Sequence, residues 1–190
     1  MRIYIDFKSA PAYLAMQPTL ALLERLGVTA EWLPYDARQA AIPPASDQET
    51  RGETHVRVRA EQRRETNLRY AAVQQLPMFY RDDPGSTRCA LSALLVLEED
   101  PLSFIRAAFA AYWQEGRDLD DAEVVGDLLA CSYPGAVAFD PELSLPLLDS
   151  HHLAAEEFGL FDTPLYVIGD EMFLGREQLP WIESLLSQEP

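Results

Sequence analysis

An α/β fold is predicted, with a β-α-β unit at the start, a β-β-α unit at the end and a long helical block between them. Three observations lead to it. Ile3 and Ile5 alternate with Tyr4 and Asp6, the two-residue period of a strand. Tyr13 to Leu26 then carries Leu14, Leu20, Leu22, Leu23 and Leu26 and meets Gly27, a residue suited to closing a helix. Near the other end, Pro164 to Ile168 and Met172 to Leu174 flank Gly169-Asp170, a hairpin turn.

The elements follow in order. Ser9, Ala10 and Pro11 open the first helix, since Ser caps and Pro is tolerated in a first turn. Pro18 predicts a kink in it. A second strand is expected over Thr29 to Tyr35, parallel to the first through a right-handed crossover. Residues 37 to 54 read as a linker broken by Pro43-Pro44, and Glu53 to Gln75 as a basic helix. Further helices are expected over Thr87 to Glu99, Pro101 to Gln114, Leu119 to Leu129 (capped by Asp118) and Leu147 to Phe158. Pro134, Pro141 and Pro146 fall in the loop before the last of these, and Gln178 to Leu186 forms the terminal helix. This order is that of a thioredoxin-like fold with an inserted all-helical domain. Residues 1–36 and 159–190 form the thioredoxin-like part, 53–158 the helical insertion and 37–52 the linker.

With 190 residues and 48% hydrophobic composition the chain can bury a core, so its charge of −16 does not signal disorder. Residues 1–97 carry 12 basic and 11 acidic side chains, whereas 98–190 carry 3 and 20. Binding to nucleic acid or to an anionic membrane is not expected of such a surface. Eight arginines lie between residues 51 and 88, and Lys8 is the only lysine. The start runs straight into a strand without a basic and then apolar leader, and no apolar run could cross a bilayer, so a cytoplasmic protein is expected. Cys89 and Cys131 are too far apart for a CxxC motif or a cysteine-rich zinc site, and both read as buried hydrophobes on helices. The adjacent His151-His152 read as surface residues at a helix start, Asp120-Asp121 as caps, and no metal site is expected. Tyr13, Tyr112 and Trp113 read as core, or as an apolar wall for an aromatic substrate.

The loop from Lys8 to Ala12 sits at a helix N-terminus, where free N–H groups and the helix dipole favour an anion. Ser9 there either caps the helix or meets a bound thiolate sulfur.

The stretch IDFKSAPAYLA at Ile5 to Ala15 resembles the opening of the DsbA-like family, and within it 2-hydroxychromene-2-carboxylate isomerases and kappa-class glutathione transferases. The similarity continues at Arg69 to Ala72 and Ala107 to Ala130, and ends with GLFDTPLYVIGDEMFLGREQL at Gly159 to Leu179. The resemblance implies glutathione as cofactor, with Ser9 as the catalytic group at its sulfur. Thr163 and Pro164 match the pair whose peptide bond is cis, a form the X–Pro bond tolerates. Such a bond turns the Thr163 backbone toward a peptide ligand. Arg176 and Glu177 match the loop that binds the γ-glutamyl end. Three departures stand out: Ala10-Pro11 in place of a proline directly after the serine, Asp162 where glycine is common, and His151-His152 in place of asparagine-threonine.

The resemblance therefore implies a glutathione-dependent isomerase or transferase acting on a small hydrophobic or aromatic electrophile, with a homodimer left open. Two alternatives stand beside it. One is a DsbA-type oxidoreductase homologue that exchanges no disulfides, because Ser9 to Ala12 holds no thiol. The other is a non-catalytic member that binds a ligand or partner. In every case an acidic protein that binds glutathione must supply a local basic cleft, and residues 51 to 88 are its expected source.

Overall fold

In the computed structural model the described residues are 1–39, 42, 45, 46, 48–97, 100–133, 135 and 139–187. Pro43-Pro44, Pro134 and Glu99 lie outside them. The chain opens with β1 (Arg2–Ile5), α1 (Ala10–Leu26) and β2 (Glu31–Pro34). The helices α2 (Arg51–Val73), α3 (Arg88–Leu95), α4 (Leu102–Trp113), α5 (Ala122–Ser132) and α6 (Pro141–Phe158) follow. It closes with β3 (Leu165–Ile168), β4 (Glu171–Leu174), a 3-10 turn at Arg176–Gln178 and α7 (Leu179–Leu186). The sheet order is β2-β1-β3-β4, with β1 and β2 parallel and the other neighbours antiparallel. The expected β-α-β and β-β-α units thus join edge to edge through β1 and β3, as in a thioredoxin-like sheet.

The alternation in β1 decides its two faces. Ile3 and Ile5 enter one buried cluster with Phe7, Tyr13, Phe104, Phe109 and Trp113, while Tyr4 enters a second with Tyr35, Leu165 and Val167. The Phe7 ring meets Phe104 and Phe109 edge-on, and the Trp113 indole donates to the Phe7 carbonyl at 2.9 Å. Helix α4 is therefore bolted to the end of β1, immediately before Ser9.

Several boundaries differ from the sequence expectation. Helix α1 runs unbroken through Pro18. A proline there leaves the Leu14 carbonyl without its helical donor, and the side chain of Gln74, which caps the C-terminus of α2, supplies one at 3.1 Å. Helix α5 starts later than expected and is capped by Asp121, not Asp118. Asp120 caps a different helix, accepting from the Cys89 N–H at 3.2 Å where Thr87 makes no side-chain cap bond to α3. Helix α6 starts at Pro141, six residues earlier than expected, because Asp140 caps it and Pro141 falls in the first turn where its missing N–H is harmless.

Candidate functional site

Ser9 has an extended backbone and caps α1, accepting from the Ala12 N–H at 3.3 Å. Its hydroxyl donates in turn to the Thr163 carbonyl at 3.0 Å, and the residue has no exposed surface. The structure therefore shows the capping role and adds a clamp across 154 positions of sequence. The Thr163-Pro164 peptide bond is cis. The Thr163 N–H donates to the Asp162 carboxylate at 2.8 Å, while its buried hydroxyl oxygen Oγ1 has no partner. The Gly175 N–H donates to the Pro164 carbonyl at 2.9 Å, which draws the Arg176–Glu177 loop to the same strand end. Ser9, Thr163, Pro164 and Gly175 thus form one hydrogen-bonded chain.

Arg176 and Glu177 behave differently. The Arg176 guanidinium stacks on the Tyr70 ring of α2, 3.4 Å from its centroid, while the Glu177 side chain is exposed. Gly175 has φ +85°, and a Cβ there would come within 2.7 Å of the Glu177 carboxylate, so the loop requires glycine.

A cavity of about 540 Å³ opens beside the turn, lined at its head by Lys8, Ala10, Pro11 and Asp162. Arg59, Arg63 and Asn67 of α2 form one wall, and Tyr80, Tyr112 and Trp113 another. The basic segment does line the cleft, as expected. Ser9, Thr163, Pro164, Arg176 and Glu177 do not line it; the neighbours of Ser9 and Thr163 do, whereas the Arg176–Glu177 loop contributes no lining residue. Tyr112 and Trp113 are both core and wall, whereas Tyr13 stacks on Trp113 with ring centroids 5.6 Å apart behind the lining. In the first turn of α1, Pro11 has no N–H and the Ala12 N–H is taken by Ser9. The Tyr13 N–H bonds the Ser9 carbonyl. Among the described residues the Ala10 N–H has no acceptor, and Ala10 lines the cleft.

Beneath the turn lies a charge network that sequence reading missed. The Lys8 ammonium lies 2.7 Å from Asp6 and 2.6 Å from Asp36. Asp6, fully buried, also accepts from Thr87 at 2.7 Å and from the N–H groups of Lys8 and Ala37. Arg88 joins Asp36 to Asp149. Burial opposes the charge of Lys8, but Asp6 and Asp36 outweigh it and hold its pKa above the usual lysine value. Burial likewise opposes ionisation of Asp36, but Lys8 and Arg88 hold its carboxyl below the usual range. The only signal in the sequence was an acid and a base flanking Phe7.

Two expectations need correction. Cys131 is exposed on α5; only Cys89 is buried, and burial followed by the nearby Asp120 pushes its thiol up to about 11. His151 and His152 lie in the middle of α6, half-buried against the sheet, because α6 starts early enough to turn that face inward. His152 stacks on Tyr35 with centroids 4.7 Å apart, and His151 lies 6.1 Å from Tyr4.

Among the described residues, no cluster of His, Cys, Asp or Glu could hold a metal, and no helix is long and apolar enough to cross a membrane. An α/β fold of this order, with a thiol-free turn facing a clamped cis-proline, defines a thioredoxin-fold protein of the DsbA type without its dithiol. Residues 1–187 match the DSBA-like thioredoxin domain, and the chain belongs to that family. The 2-hydroxychromene-2-carboxylate isomerase of Sphingobium xenophagum is 27% identical over 198 residues, covering 96% of this chain and 95% of that protein. A solved 2-hydroxychromene-2-carboxylate isomerase superposes with a TM-score of 0.71 at 22% identity, over 98% of this chain and 94% of that one. A probable DsbA oxidoreductase from Streptomyces coelicolor gives 0.72 at 17%, over 100% and 90%. The cytosolic disulfide reductase DsbM from Pseudomonas aeruginosa, solved with GSH, gives 0.61 at 14%, over 98% of both chains. These three likenesses establish the fold.

Proposed function

We propose that the protein is a glutathione-dependent isomerase or transferase acting on a small aromatic or hydrophobic electrophile. The observation that carries this reading is the acceptor-free Ala10 N–H at the positive end of α1, facing a cleft beside a turn that holds no thiol. The name of the 27% identical relative and the GSH in the DsbM structure support it. The residues present fit glutathione at its sulfur: the Ala10 N–H, on the lining of the cleft, has no acceptor among the described residues, and Thr163 behind it carries a buried hydroxyl oxygen without a partner.

Bound glutathione would supply a thiolate nucleophile for an electrophilic carbon, one that could leave again in an isomerisation. The chain lowers the proton affinity of that sulfur through the Ala10 N–H and the dipole of α1. Ser9, whose hydroxyl bonds the Thr163 carbonyl, would reach the sulfur by turning from that carbonyl, which would then be free to accept from the ligand. The Thr163 N–H donates to the peptide once the exposed Asp162 side chain swings aside. Glu177 would hold the α-ammonium of the γ-glutamyl group, and Arg176, fixed on Tyr70, would orient the loop for its carboxylate. The aromatic wall of Tyr80, Tyr112 and Trp113 takes the substrate ring.

Calorimetric titration with glutathione tests the reading. Saturable binding at millimolar concentration or below is expected, and its absence ends the proposal. Direct dithiol exchange is not part of the function, so insulin reduction stays at background.

The buried, doubly bonded Ser9 hydroxyl favours a second reading, a ligand-binding member without catalysis. Turnover that is unchanged in Ser9→Ala, or absent from both proteins, supports it.

A further inference from the structure

We propose that the outer half of the cleft is a binding site for an aromatic ligand bearing a dianionic group, either a phosphate or a pair of carboxylates. The pattern of ion pairs on α2 points there. Beyond its first turn, every arginine facing away from the cleft has a carboxylate: Arg57 with Glu49 and Glu61, Arg64 with Asp82, Arg69 with Glu65. Arg59 and Arg63, which face it, have none among the described residues. They stand four residues apart, so their side chains leave one helix face from Cβ positions roughly 6 Å apart. Like charges at that spacing destabilise a helix. In a chain with 31 acidic and 15 basic side chains, Arg59 and Arg63 stand side by side in the cleft without a carboxylate among the described residues, and Arg38 and Arg81, which also line it, have none either.

The rest of the wall matches. Asn67 lies one turn further along the same face, 6% exposed, and its Nδ2 has no acceptor. A buried amide donor without a partner marks the position of a ligand oxygen. Arg81 also lines the cleft, fixed over the Tyr112 ring and by its bond to the Gly116 carbonyl at 3.1 Å. Lys8 is neutralised by Asp6 and Asp36 and adds little. The carboxylates that line the cleft, Asp82 and Asp162, are engaged with Arg64 and with the Thr163 N–H. A single carboxylate satisfies one guanidinium; two adjacent ones with an amide donor suit a group with several anionic oxygens. The ring of the ligand then lies against Tyr80 and Trp113.

This inference does not rest on the glutathione reading, and its primary titrations contain no glutathione. The probes are phenyl phosphate, benzene-1,2-dicarboxylate, benzoate and inorganic phosphate, each titrated calorimetrically into the full chain. Phenyl phosphate or the dicarboxylate is expected to bind at least tenfold tighter than benzoate and than inorganic phosphate, and which of the two binds identifies the anion. The double variant Arg59→Gln/Arg63→Gln is expected to lose at least tenfold in that affinity without a lower melting temperature, since it removes a like-charge pair. The tighter probe is also expected to bind unchanged in saturating S-methylglutathione. Equal affinity for all four probes, an unaffected double variant, or displacement by S-methylglutathione overturns the proposal; displacement would assign the arginines to glutathione's own carboxylates.

Discussion

The Ser9 hydroxyl donates to the Thr163 carbonyl at 3.0 Å while accepting from the Ala12 N–H at 3.3 Å. One side chain thereby starts a helix and pins the cis-proline loop. Ser9→Ala removes the cap, a loss of about 1 kcal/mol. It also strands the buried Thr163 carbonyl, which costs about another 1 kcal/mol or more. Urea unfolding is expected to show a loss of roughly 2 kcal/mol. An unchanged midpoint would mean the clamp contributes nothing.

Asp162 occupies the Thr163 N–H that a bound peptide needs, and adds a negative charge near the expected thiolate. Asp162→Gly frees that donor. Glutathione is expected to bind about tenfold tighter to the variant, the worth of one hydrogen bond to a charged group at roughly 1.5 kcal/mol. Weaker binding in calorimetry would show that the carboxylate helps the ligand.

Lys8 is the counter-ion of the fully buried Asp6. Lys8→Met leaves that carboxylate uncompensated and is expected to destabilise the fold by about 3 kcal/mol or more. The double variant Asp6→Asn/Lys8→Met removes both charges and recovers part of the loss. Chemical denaturation of both checks this; a Lys8→Met protein as stable as the parent contradicts it.

His151 contributes a loss of stability in mild acid, while Asp6, whose carboxyl burial holds above the usual 3.8, works in the opposite direction as pH falls. Burial, aided by His152, holds the His151 pKa below the usual 6.5, and its buried Nδ1 has no partner. Between the two values the unfolded chain binds the proton and the folded chain does not, so stability rises with pH in that window and falls as pH drops through it. Asp36, whose carboxyl is held below 3.8, adds a loss only at lower pH. Urea midpoints at about pH 7.5 and pH 5.5 are expected to differ less in His151→Gln than in the parent. An equal difference in both proteins would place the acid sensitivity elsewhere.

Much of the fold was legible because local signals agreed with the tertiary outcome. The alternation at Ile3 to Asp6, the Ser9 and Gly27 boundaries and the Gly169-Asp170 turn all mark real elements. Helix α6 was misjudged because Pro146, taken as a break, sits inside it, where neighbouring packing outweighs a missing hydrogen bond. The site was legible only where position in the chain implies position in space. Ser9 and Thr163 meet because the sheet order puts β1 beside β3, which the element order implied. The Lys8–Asp6–Asp36–Arg88 network and the partnering of Asp120 with α3 join residues distant in sequence, and no periodicity reports them. The selective pairing of the α2 arginines was invisible for the same reason: composition counts charges without saying which are already neutralised.

The central claim is that the N-terminus of α1 holds glutathione as its thiolate. Ultraviolet difference absorbance of glutathione bound to the protein, followed against pH, tests it most directly. The account predicts half-ionisation of the bound thiol at least one pH unit below the value of about 8.5 for a free thiol. A bound thiol that titrates at its free value, or the absence of any saturable difference signal, would contradict it.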